Sequence, residues 1–378
     1  MNSSHGNVGH AVCARCVMDT SDPEIAFDKD GLCTHCQKWD RSTSATWHPN
    51  DDGARIWQGW VDQMRKDGRG RDYDCIIGIS GGCDSAYLAW KLRNSGLRML
   101  AVHVDGGWNS EISVANIELL CKSLKLDLFT YVVDWDEMRD LQLAFFRSGV
   151  ANQDVPQDHA FFAQLYRQAA KHRIRYFLSG GNLATECILP AAWGYNAMDR
   201  RHLRGIHARF GTRPLRSYPT VGFLSLYLVN PYLRRFRVLR PLNWMRYIKR
   251  EAKQELTTGL GWRDYGDKHH ESRFTKFFQS WYLPVKFGFD KRKAHLSSMI
   301  NTGQITRDDA LAELAKASFD ATTLNEDKRF LAKKLGIGLE EFERILAQPV
   351  RTWQDYPSNA ALFACKDRVV RWLRSSKQ

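Results

Sequence analysis

The sequence predicts an α/β protein: a doubly wound parallel sheet, with a zinc module of four cysteines before it and a helical region after it. Three observations support this fold class. Short β-branched runs alternate with helix-like segments between residues 74 and 179, which is typical of a parallel sheet covered on both faces. Two Cys-x2-Cys pairs lie near the N-terminus. Beyond residue 250 the chain has a largely helical character.

The alternation sets the order of the elements. It predicts strands over 74–79, 99–105, 128–133 and 174–179, and helices over 84–94, 111–124, 136–147 and 158–172. Ligands of such sheets bind outside the carboxyl ends of the strands. The candidate binding residues follow those ends: residues 80–85 after the first strand, 105–109 after the second, Asp134 after the third and 180–182 after the fourth.

The loop after the first strand reads Ser80-Gly81-Gly82-Cys83-Asp84-Ser85. A strand that turns through two glycines into a helix presents free backbone N–H groups and the positive end of the helix dipole, which together bind phosphate. The loop lacks the Gly-Lys-Ser/Thr ending of the common phosphate loop. We interpret it as an anion-binding loop; the alternative is an ordinary strand-turn-helix junction with capping serines.

The two cysteine pairs predict a metal site. Cys13 and Cys16 are separated by 16 residues from Cys33 and Cys36, a spacing typical of four-thiolate zinc sites. Four thiolates leave no open position for substrate or water, so we expect a structural Zn²⁺. A redox pair and an iron–sulfur cluster are the alternatives.

Composition limits the class of protein. The chain has 378 residues, 43% of them hydrophobic, which is enough for a large core in two or three units. No apolar run is long enough to span a bilayer, and the first residues lack the pattern of an export signal, so we expect a cytoplasmic protein with no membrane span. Its nine cysteines should then be reduced or metal-bound.

Positive charge is concentrated in one segment. The formal net charge is +13, and residues 200–250 contain twelve arginines, one lysine and no acidic residue. Such a segment suits a polyanionic partner: nucleic acid, an anionic membrane face, or a substrate that carries diphosphate and carboxylate groups. A solvated basic face without a ligand is the alternative.

These patterns divide the chain into five regions. Residues 1–40 form the four-cysteine zinc-binding module, and 41–72 form a linker with a packing helix over 54–66. Residues 73–200 form the nucleotide-binding domain. Residues 201–300 form a basic region that completes this domain and binds substrate, and 301–378 form a helical C-terminal region with helices over 307–317 and 339–347.

The Ser-Gly-Gly-x-Asp-Ser pattern after a strand resembles the PP-loop of the ATP pyrophosphatases, whose sheet is of the adenine nucleotide alpha hydrolase-like type. The resemblance implies ATP and Mg²⁺ as cofactors. It places the pyrophosphate at Ser80, Gly81, Gly82, Asp84 and Ser85, the nucleoside at His103, Val104 and Asp105, and the α-phosphate near Gly180, Gly181 and Asn182. Asp84 and Glu186 are the candidate Mg²⁺ carboxylates, since Mg²⁺ needs only one or two besides phosphate oxygens and water.

Each of these residues also has a purely structural interpretation. Val104 fits the core of the sheet, Asp105 fits a turn, and Asp84 or Glu186 fits a helix cap or an ion pair. A PP-loop has no lysine of its own, so cations for the departing pyrophosphate must come from elsewhere. Lys268, Lys291 and Lys293 are the candidates.

The whole set of motifs resembles the N-acetyl sugar amidotransferases of bacterial surface-polysaccharide synthesis, the WbpG/PseA type. The resemblance covers roughly residues 11–350. It rests on the cysteine pairs with Val17-Met18-Asp19, the PP-loop, Val155-Pro156-Gln157-Asp158-His159, Leu178-Ser179-Gly180-Gly181-Asn182, and the segment from Lys268-His269-His270-Glu271-Ser272-Arg273 to Asp290-Lys291-Arg292-Lys293-Ala294-His295-Leu296-Ser297-Ser298.

This family resemblance implies an ATP-dependent reaction in lipopolysaccharide and O-antigen biosynthesis. ATP adenylylates the oxygen of an N-acetyl group on a nucleotide-linked diacetamido sugar, and ammonia then replaces that oxygen to give an acetamidino group, AMP and pyrophosphate. Asp158 or Glu186 would take a proton from ammonia. The sequence shows no glutaminase motif, so ammonia is expected from a separate glutaminase subunit, with a cyclase-like barrel subunit that channels it. The basic segment would bind the diphosphate of the sugar nucleotide, and no nucleic acid is expected.

Two other classes of function compete with this one. PP-loops and zinc motifs also occur together in tRNA-modifying enzymes of the thiolation or lysidine type, although Cys187 stands without a second cysteine that could handle sulfur. A nucleotide-binding scaffold without catalysis is the third hypothesis, supported only by the unusual Cys83 within the loop.

Overall fold

A computed structural model describes residues 10–266 and 272–375. Its centre is a five-stranded, fully parallel sheet in the order β3-β2-β1-β4-β5. The strands are β1 Cys75–Gly78, β2 Met99–Asp105, β3 Asp127–Val132, β4 Tyr176–Leu178 and β5 Arg237–Leu239. The predicted fold class, a doubly wound α/β sheet with an N-terminal four-cysteine cluster and a helical C-terminal region, is confirmed.

Helices surround the sheet and form most of the rest of the described chain. The α-helices are α1 Thr34–Lys38, α2 Asp51–Asp67, α3 Cys83–Leu92, α4 Glu111–Leu124, α5 Trp135–Ser148, α6 Val155–Lys171, α7 Leu183–Glu186, α8 Arg200–Phe210, α9 Lys249–Leu260, α10 Arg273–Phe277, α11 Leu283–Phe287, α12 Lys291–Asn301, α13 Arg307–Leu314, α14 Ala321–Leu335, α15 Leu339–Leu346 and α16 Ala360–Ser375. Three π-helical segments, Trp39–Thr43, Ser225–Leu233 and Phe278–Tyr282, lie between them. Short 3₁₀ turns span Ser44–Thr46, Ala191–Trp193, Pro241–Trp244 and Trp353–Asp355.

Both faces of the sheet are covered because consecutive strand residues point to opposite sides. In β1, Cys75 and Ile77 face a core that contains side chains of α3, α4 and α9. Ile76 faces the other side, where it joins a second core that contains Leu165 and Ala169 of α6. All three β1 side chains are fully buried, as expected for a strand near the centre of a parallel sheet.

The fifth strand was not predicted from the sequence. β5 has three residues and pairs with β4 in the register Tyr176↔Arg237 to Leu178↔Leu239. Only Leu239 of β5 is buried, so the segment shows neither an apolar run nor a clear alternation. Together with α9, whose Leu256 lies in the core beside α3, β5 shows that residues 201–300 contribute directly to the central sheet and its core.

The C-terminal helices pack on the α5 side of the molecule. An aromatic core joins Phe146 of α5 to Phe274, Tyr282 and Phe342. Phe146 meets these three rings edge to face at centroid distances of 5.9, 5.7 and 5.3 Å, a favourable arrangement for aromatic side chains. The helices α10, α14 and α15 are therefore anchored to an element of the sheet domain.

Among the helices that the structure describes, none combines the length and the apolar character needed to cross a bilayer.

Candidate functional site

The site lies where the strand order reverses. β1 pairs with β2 on one side and with β4 on the other. The strands that follow β1 therefore extend the sheet first on one side, as β2 and β3, and then on the other, as β4 and β5. Ligands of doubly wound sheets bind in the crevice at this position. The loops after β1 and β4, residues 80–85 and 179–182, meet there. A Cβ atom on Gly180 would lie 2.8 Å from the backbone nitrogen of Ser85, so only glycine allows this approach.

The backbone of residues 80–85 forms the turn that the sequence predicts. Gly81 has a φ of +80°, a left-handed conformation that favours glycine. Gly82 precedes the first residue of α3, Cys83, in extended conformation. A helix that starts directly after such a turn offers backbone N–H groups and the positive end of its dipole to an anion, and within the loop the Gly82 nitrogen donates to the Ser80 hydroxyl at 3.3 Å. The hydroxyl of Tyr265 accepts a hydrogen bond from the Cys83 nitrogen at 2.9 Å.

A cavity of about 510 Å³ opens at this crevice. Eleven of the residues predicted for the site line it: Ser80, Gly82, Asp84, Ser85, His103, Val104, Asp158, Gly180, Gly181, Glu186 and Lys291. The structure therefore brings most of the predicted nucleotide and phosphate residues together in one place.

Four predicted residues do not line this cavity. Gly81 turns toward Ser113, whose hydroxyl would lie 2.2 Å from an added Cβ. Asn182 is buried and accepts a hydrogen bond from the Thr185 nitrogen at 2.9 Å, which caps α7. Asp105 accepts hydrogen bonds from Gly107 and Asn109 and shapes the turn after β2.

Lys293 is the fourth, and its position differs from the expected one. Its ammonium group donates to Asp19 at 2.5 Å, in the N-terminal module. Lys291 and Lys293 are two residues apart on α12, so their side chains point about 200° apart around the helix. Only Lys291 faces the cavity. Lys268, the remaining predicted cation, lies outside the described residues, as do His269, His270 and Glu271.

A second lysine lines the cavity in place of Lys293. Lys249, the first residue of α9, faces the loop with Lys291. It is the one lysine of the basic segment 200–250. This single lysine among twelve arginines is the sequence feature from which Lys249 could have been predicted as a site residue. None of the described residues that line the cavity is an arginine. Arg200, Arg201 and Arg204 line a separate groove of about 670 Å³ beside Phe223 and Asn359.

The two candidate Mg²⁺ carboxylates both line the cavity, Asp84 at the start of α3 and Glu186 at the end of α7. Asp84 accepts a hydrogen bond from the buried hydroxyl of Tyr247, which fixes its orientation. The carboxylate of Glu186 lies over the turn at Gly181, 3.6 Å from where a Cβ would stand. Mg²⁺ takes one or two carboxylates together with phosphate oxygens and water, so this donor set fits a Mg²⁺–nucleotide complex.

Asp158 lies on the opposite wall, on α6. Its side chain opens into the cavity, yet the surrounding protein and the charge of Asp154 raise the pKa of Asp158 to about 7, and Lys291 offsets part of this shift. The side chain is exposed to the cavity, but the protein around it still disfavours the ionised carboxylate, and a second carboxylate one helical turn away adds to the effect. Asp158 can therefore exchange a proton near neutral pH.

Several cavity residues were not predicted as site residues, although Gln157 belongs to the motif over residues 155–159. Asp154, Gln157, Tyr265, Thr275 and Gln279 all line the cavity. The amide nitrogen of Gln157 is buried and has no hydrogen-bond partner among the described residues, which suits a donor that waits for a bound ligand. Gln279 donates to Asp154 at 3.4 Å.

Comparison with known proteins identifies the C-terminal part of this site. Residues 271–370 match the family model described as LPS biosynthesis protein WbpG-like, C-terminal domain. This C-terminal stretch is therefore similar to the C-terminal domain of WbpG-like proteins, and we call it the WbpG-like domain. This domain supplies Ser272, Thr275, Gln279 and Lys291 to the cavity, so it completes the site that the PP-loop begins.

One curated protein also matches part of the chain. A stretch of 95 residues is 30% identical to the tRNA(Ile)-lysidine synthase of Chlamydia pneumoniae, and the match covers 25% of this chain and 28% of that protein. The chain thus matches little more than a quarter of that relative.

Two solved structures are also similar. The NH3-dependent NAD synthetase from Campylobacter jejuni subsp. jejuni NCTC 11168 gives a TM-score of 0.29 at 15% identity, covering 55% of this chain and 84% of that chain. The NMN synthetase from Francisella tularensis gives 0.30 at 14%, covering 60% and 92%.

The four cysteines of the N-terminal module form one buried cluster. Their sulfur atoms all lie within 4.8 Å of one another, with Cys13–Cys36 at 3.9 Å and Cys16–Cys33 at 3.7 Å. Four sulfurs placed about 2.3 Å from a tetrahedral Zn²⁺ would be about 3.8 Å apart. The cluster therefore fits a structural Zn²⁺ with all four positions filled by thiolates.

The zinc module holds helix α12 of the WbpG-like domain. Ser297 accepts a hydrogen bond from the Val17 nitrogen at 3.1 Å, and Lys293 binds Asp19. On its other side α12 contacts the region of α7, where Ser298 accepts from the Ile188 nitrogen at 3.0 Å. α12 thus connects the cysteine cluster with α7, which carries Glu186, and it places Lys291 at the cavity.

Proposed function

We propose that this protein is the synthetase component of an ATP-dependent amidotransferase in lipopolysaccharide and O-antigen biosynthesis. Its substrate is a nucleotide-linked diacetamido sugar, one N-acetyl group of which becomes an acetamidino group. The observation that carries the proposal is one cavity that combines the PP-loop and the carboxylates Asp84 and Glu186 with Asp158 and Lys291 on facing elements. The PP-loop with Asp84 and Glu186 suits the activation of a group by ATP. Asp158 and Lys291 suit proton transfer beside the activated group.

The first step activates an amide that is otherwise a poor electrophile. The amide oxygen attacks the α-phosphorus of ATP, the new P–O bond forms, and the bond to the oxygen that bridges to the β-phosphorus breaks. Pyrophosphate leaves into the loop at residues 80–85, where backbone N–H groups, Lys249 and Lys291 stabilise its charge. Mg²⁺ held by Asp84 and Glu186 would neutralise phosphate oxygens. Lys268 stays a predicted further phosphate ligand.

The second step replaces the oxygen. Ammonia attacks the carbon of the adenylylated amide, a C–N bond forms, and AMP departs with the former amide oxygen. Asp158 accepts the proton that nitrogen releases, since its pKa near neutrality allows it to be ionised before the step and protonated after it. Glu186 is then left to the metal.

An arginine of the basic segment lies beside the cavity without lining it, and it supports the proposed substrate. Arg240 is the member of the basic segment placed beside the Gly180–Gly181 turn, with its Nε 4.0 Å from where a Cβ of Gly181 would stand. It suits a ligand for the diphosphate of the sugar nucleotide. Ammonia comes from a separate glutaminase subunit and passes through a cyclase-like barrel subunit.

The test is direct product analysis with the purified chain, MgATP, ammonium chloride and a nucleotide-linked diacetamido sugar. We expect AMP formation that depends on the sugar, and a sugar product about 1 Da lighter because NH replaces O after ammonia attack. Asp84→Asn should abolish AMP formation. Asp62→Asn, on the exposed face of α2, is the matched control and should leave it unchanged. AMP formation without the mass change would contradict the proposed acceptor.

A tRNA-modifying enzyme is the second candidate, favoured by the 95-residue match to a lysidine synthase. The structure speaks against the thiolation type, because burial and the Asp84 charge raise the pKa of Cys83 to about 12 and burial also raises the pKa of Cys187. Protonated thiols are poor nucleophiles. Tight, salt-sensitive binding of bulk tRNA with ATP-dependent modification of that tRNA would replace the sugar proposal.

A further inference from the structure

One helix of the basic segment exposes a continuous apolar face. The π-helix Ser225–Leu233 continues a short helical start at Phe223 and Leu224. Its side chains Leu224, Leu228, Tyr232 and Leu233 are 64%, 52%, 70% and 79% exposed. Residues four to five apart share a face when hydrogen bonds run from i to i+5. These four side chains therefore form one stripe, whereas Asn230, on another face of the helix, is buried.

Positive charge lies directly beside this stripe. Arg234 and Arg235 follow the helix and are exposed. Across 200–250 there is no acidic residue to balance them. We call Leu224, Leu228, Tyr232, Leu233, Arg234 and Arg235 together the basic apolar surface. Large exposed apolar side chains in a continuous patch mark an interaction site, and here the neighbouring charge is of one sign.

Helix α16 also combines exposed apolar side chains with positive charge. It packs against the π-helix through Phe363, which contacts Phe223 and Tyr227 at ring-centroid distances of 5.4 and 5.7 Å. Its exposed side chains include Leu362, Val369 and Trp372, on a helix that also carries Lys366, Arg368 and Arg371 and one acidic residue, Asp367. Leucine, tyrosine and tryptophan beside arginine and lysine are typical of helices that lie at a bilayer interface.

We propose that the basic apolar surface docks this protein on the face of an anionic phospholipid bilayer. The leucines and Tyr232 insert among the headgroups and upper acyl chains, and the arginines bind phosphate groups of the lipids. This proposal does not depend on the reaction catalysed, because the surface uses none of the residues that line the cavity at the PP-loop.

The charge pattern favours lipid over the other polyanions and over a protein. Nucleic acid would use the arginines but would gain nothing from four exposed apolar side chains at the helix surface. A protein partner would bury the apolar stripe but would need an acidic rim of its own around it. An anionic bilayer can bind both the apolar side chains, in its acyl region, and the arginines, at its lipid phosphates.

The test is sedimentation of the full chain with vesicles. One set contains phosphatidylglycerol and phosphatidylethanolamine, and the other contains only phosphatidylcholine. We expect binding to the anionic vesicles that weakens with added salt. The double variant Leu228→Ser/Leu233→Ser and the double variant Arg234→Gln/Arg235→Gln should each bind about tenfold more weakly. The matched control, Val132→Ser/Val285→Ser, changes two valines of similar exposure outside the surface and should bind as the unmodified chain does.

Four results would overturn the proposal. They are no binding to anionic vesicles, equal binding to both vesicle sets, equal binding by the leucine variant and the unmodified chain, and self-association in gel filtration that the leucine variant abolishes while no vesicle binding is seen. The last result would assign the surface to contact between copies of this chain. Circular dichroism of each variant checks that the fold is retained, so a loss of binding reports on the surface itself.

Discussion

At the scale of single residues, Asp158 connects the structure most directly to a measurable pH dependence. The surrounding protein and the charge of Asp154 raise its pKa to about 7. As a proton acceptor Asp158 must be ionised, so ammonia-dependent turnover should rise as pH increases through about 7 and fall below it. Asp158→Asn should reduce amidation about 10²- to 10⁴-fold, the usual contribution of a positioned base, and should remove this limb of the pH profile.

The neighbouring carboxylate provides the control for that prediction. Asp154→Asn removes a like charge, which lowers the pKa of Asp158 and should move the rising limb to lower pH. ATP–pyrophosphate exchange should continue in Asp158→Asn, because adenylylation does not need this base. Loss of exchange in Asp158→Asn, or an unshifted profile in Asp154→Asn, would show that Asp158 acts in another way.

Some site residues could be predicted from the sequence and others could not. The difference is whether their position depends on the local order of strands and helices or on a contact with a distant part of the chain. Ser80, Asp84 and Gly180 follow strand ends, so their common location could be derived from the order of the elements. Tyr265 reaches the loop at Cys83 from 182 residues away, and nothing in its neighbourhood indicates this contact. The position of Lys293 was derivable in part, since two residues on one helix turn cannot both face the same cavity.

At the scale of elements, strands β1 to β4 and the helices between them were predicted because their apolar periodicity is strong. The predicted bounds of β2 and α4, 99–105 and 111–124, agree with the structure. β5 escaped because it has three residues, of which Arg237 and Val238 are exposed. Its place in the sheet is set by pairing with β4 rather than by its own composition, which is a tertiary effect.

Helix α12 gives the element-scale prediction. It is held by the zinc module on one side and by the α7 region on the other, and it carries Lys291. Removal of the metal by a chelator should loosen α12, which would increase amide hydrogen exchange in 291–301 and weaken ATP binding. Asp19→Asn should have the same effects to a smaller degree, because it removes the partner of Lys293.

The control for α12 uses another ion pair of the zinc module. Asp40→Asn breaks the contact of Asp40 with Arg15, where the paired atoms are 2.8 Å apart and the Asp40 carboxylate is half exposed. Exposed pairs contribute little, so exchange in 291–301 and ATP binding should not change. If metal removal leaves exchange in 291–301 unaltered, the zinc module does not position α12.

At the scale of the whole molecule, the WbpG-like domain and the sheet domain share one core. Phe146 belongs to α5, yet its fully buried ring packs against Phe274, Tyr282 and Phe342 of the C-terminal helices. Two regions that complete each other's core are expected to unfold together. The same sharing explains why the cavity is lined by residues from both, with Gln279 of the C-terminal region in contact with Asp154 at 3.4 Å.

Phe146→Ala therefore tests the cooperativity of the molecule. We expect a loss of about 3–5 kcal/mol in the free energy of unfolding, since the substitution leaves a cavity in an aromatic core. Phe146→Leu, which keeps most of the volume, should cost about 1.5 kcal/mol or less. Urea unfolding followed by far-UV circular dichroism and tryptophan fluorescence should give coincident transitions for both variants. Separate transitions would mean that the two regions fold independently, and the shared core would then be a contact between preformed units.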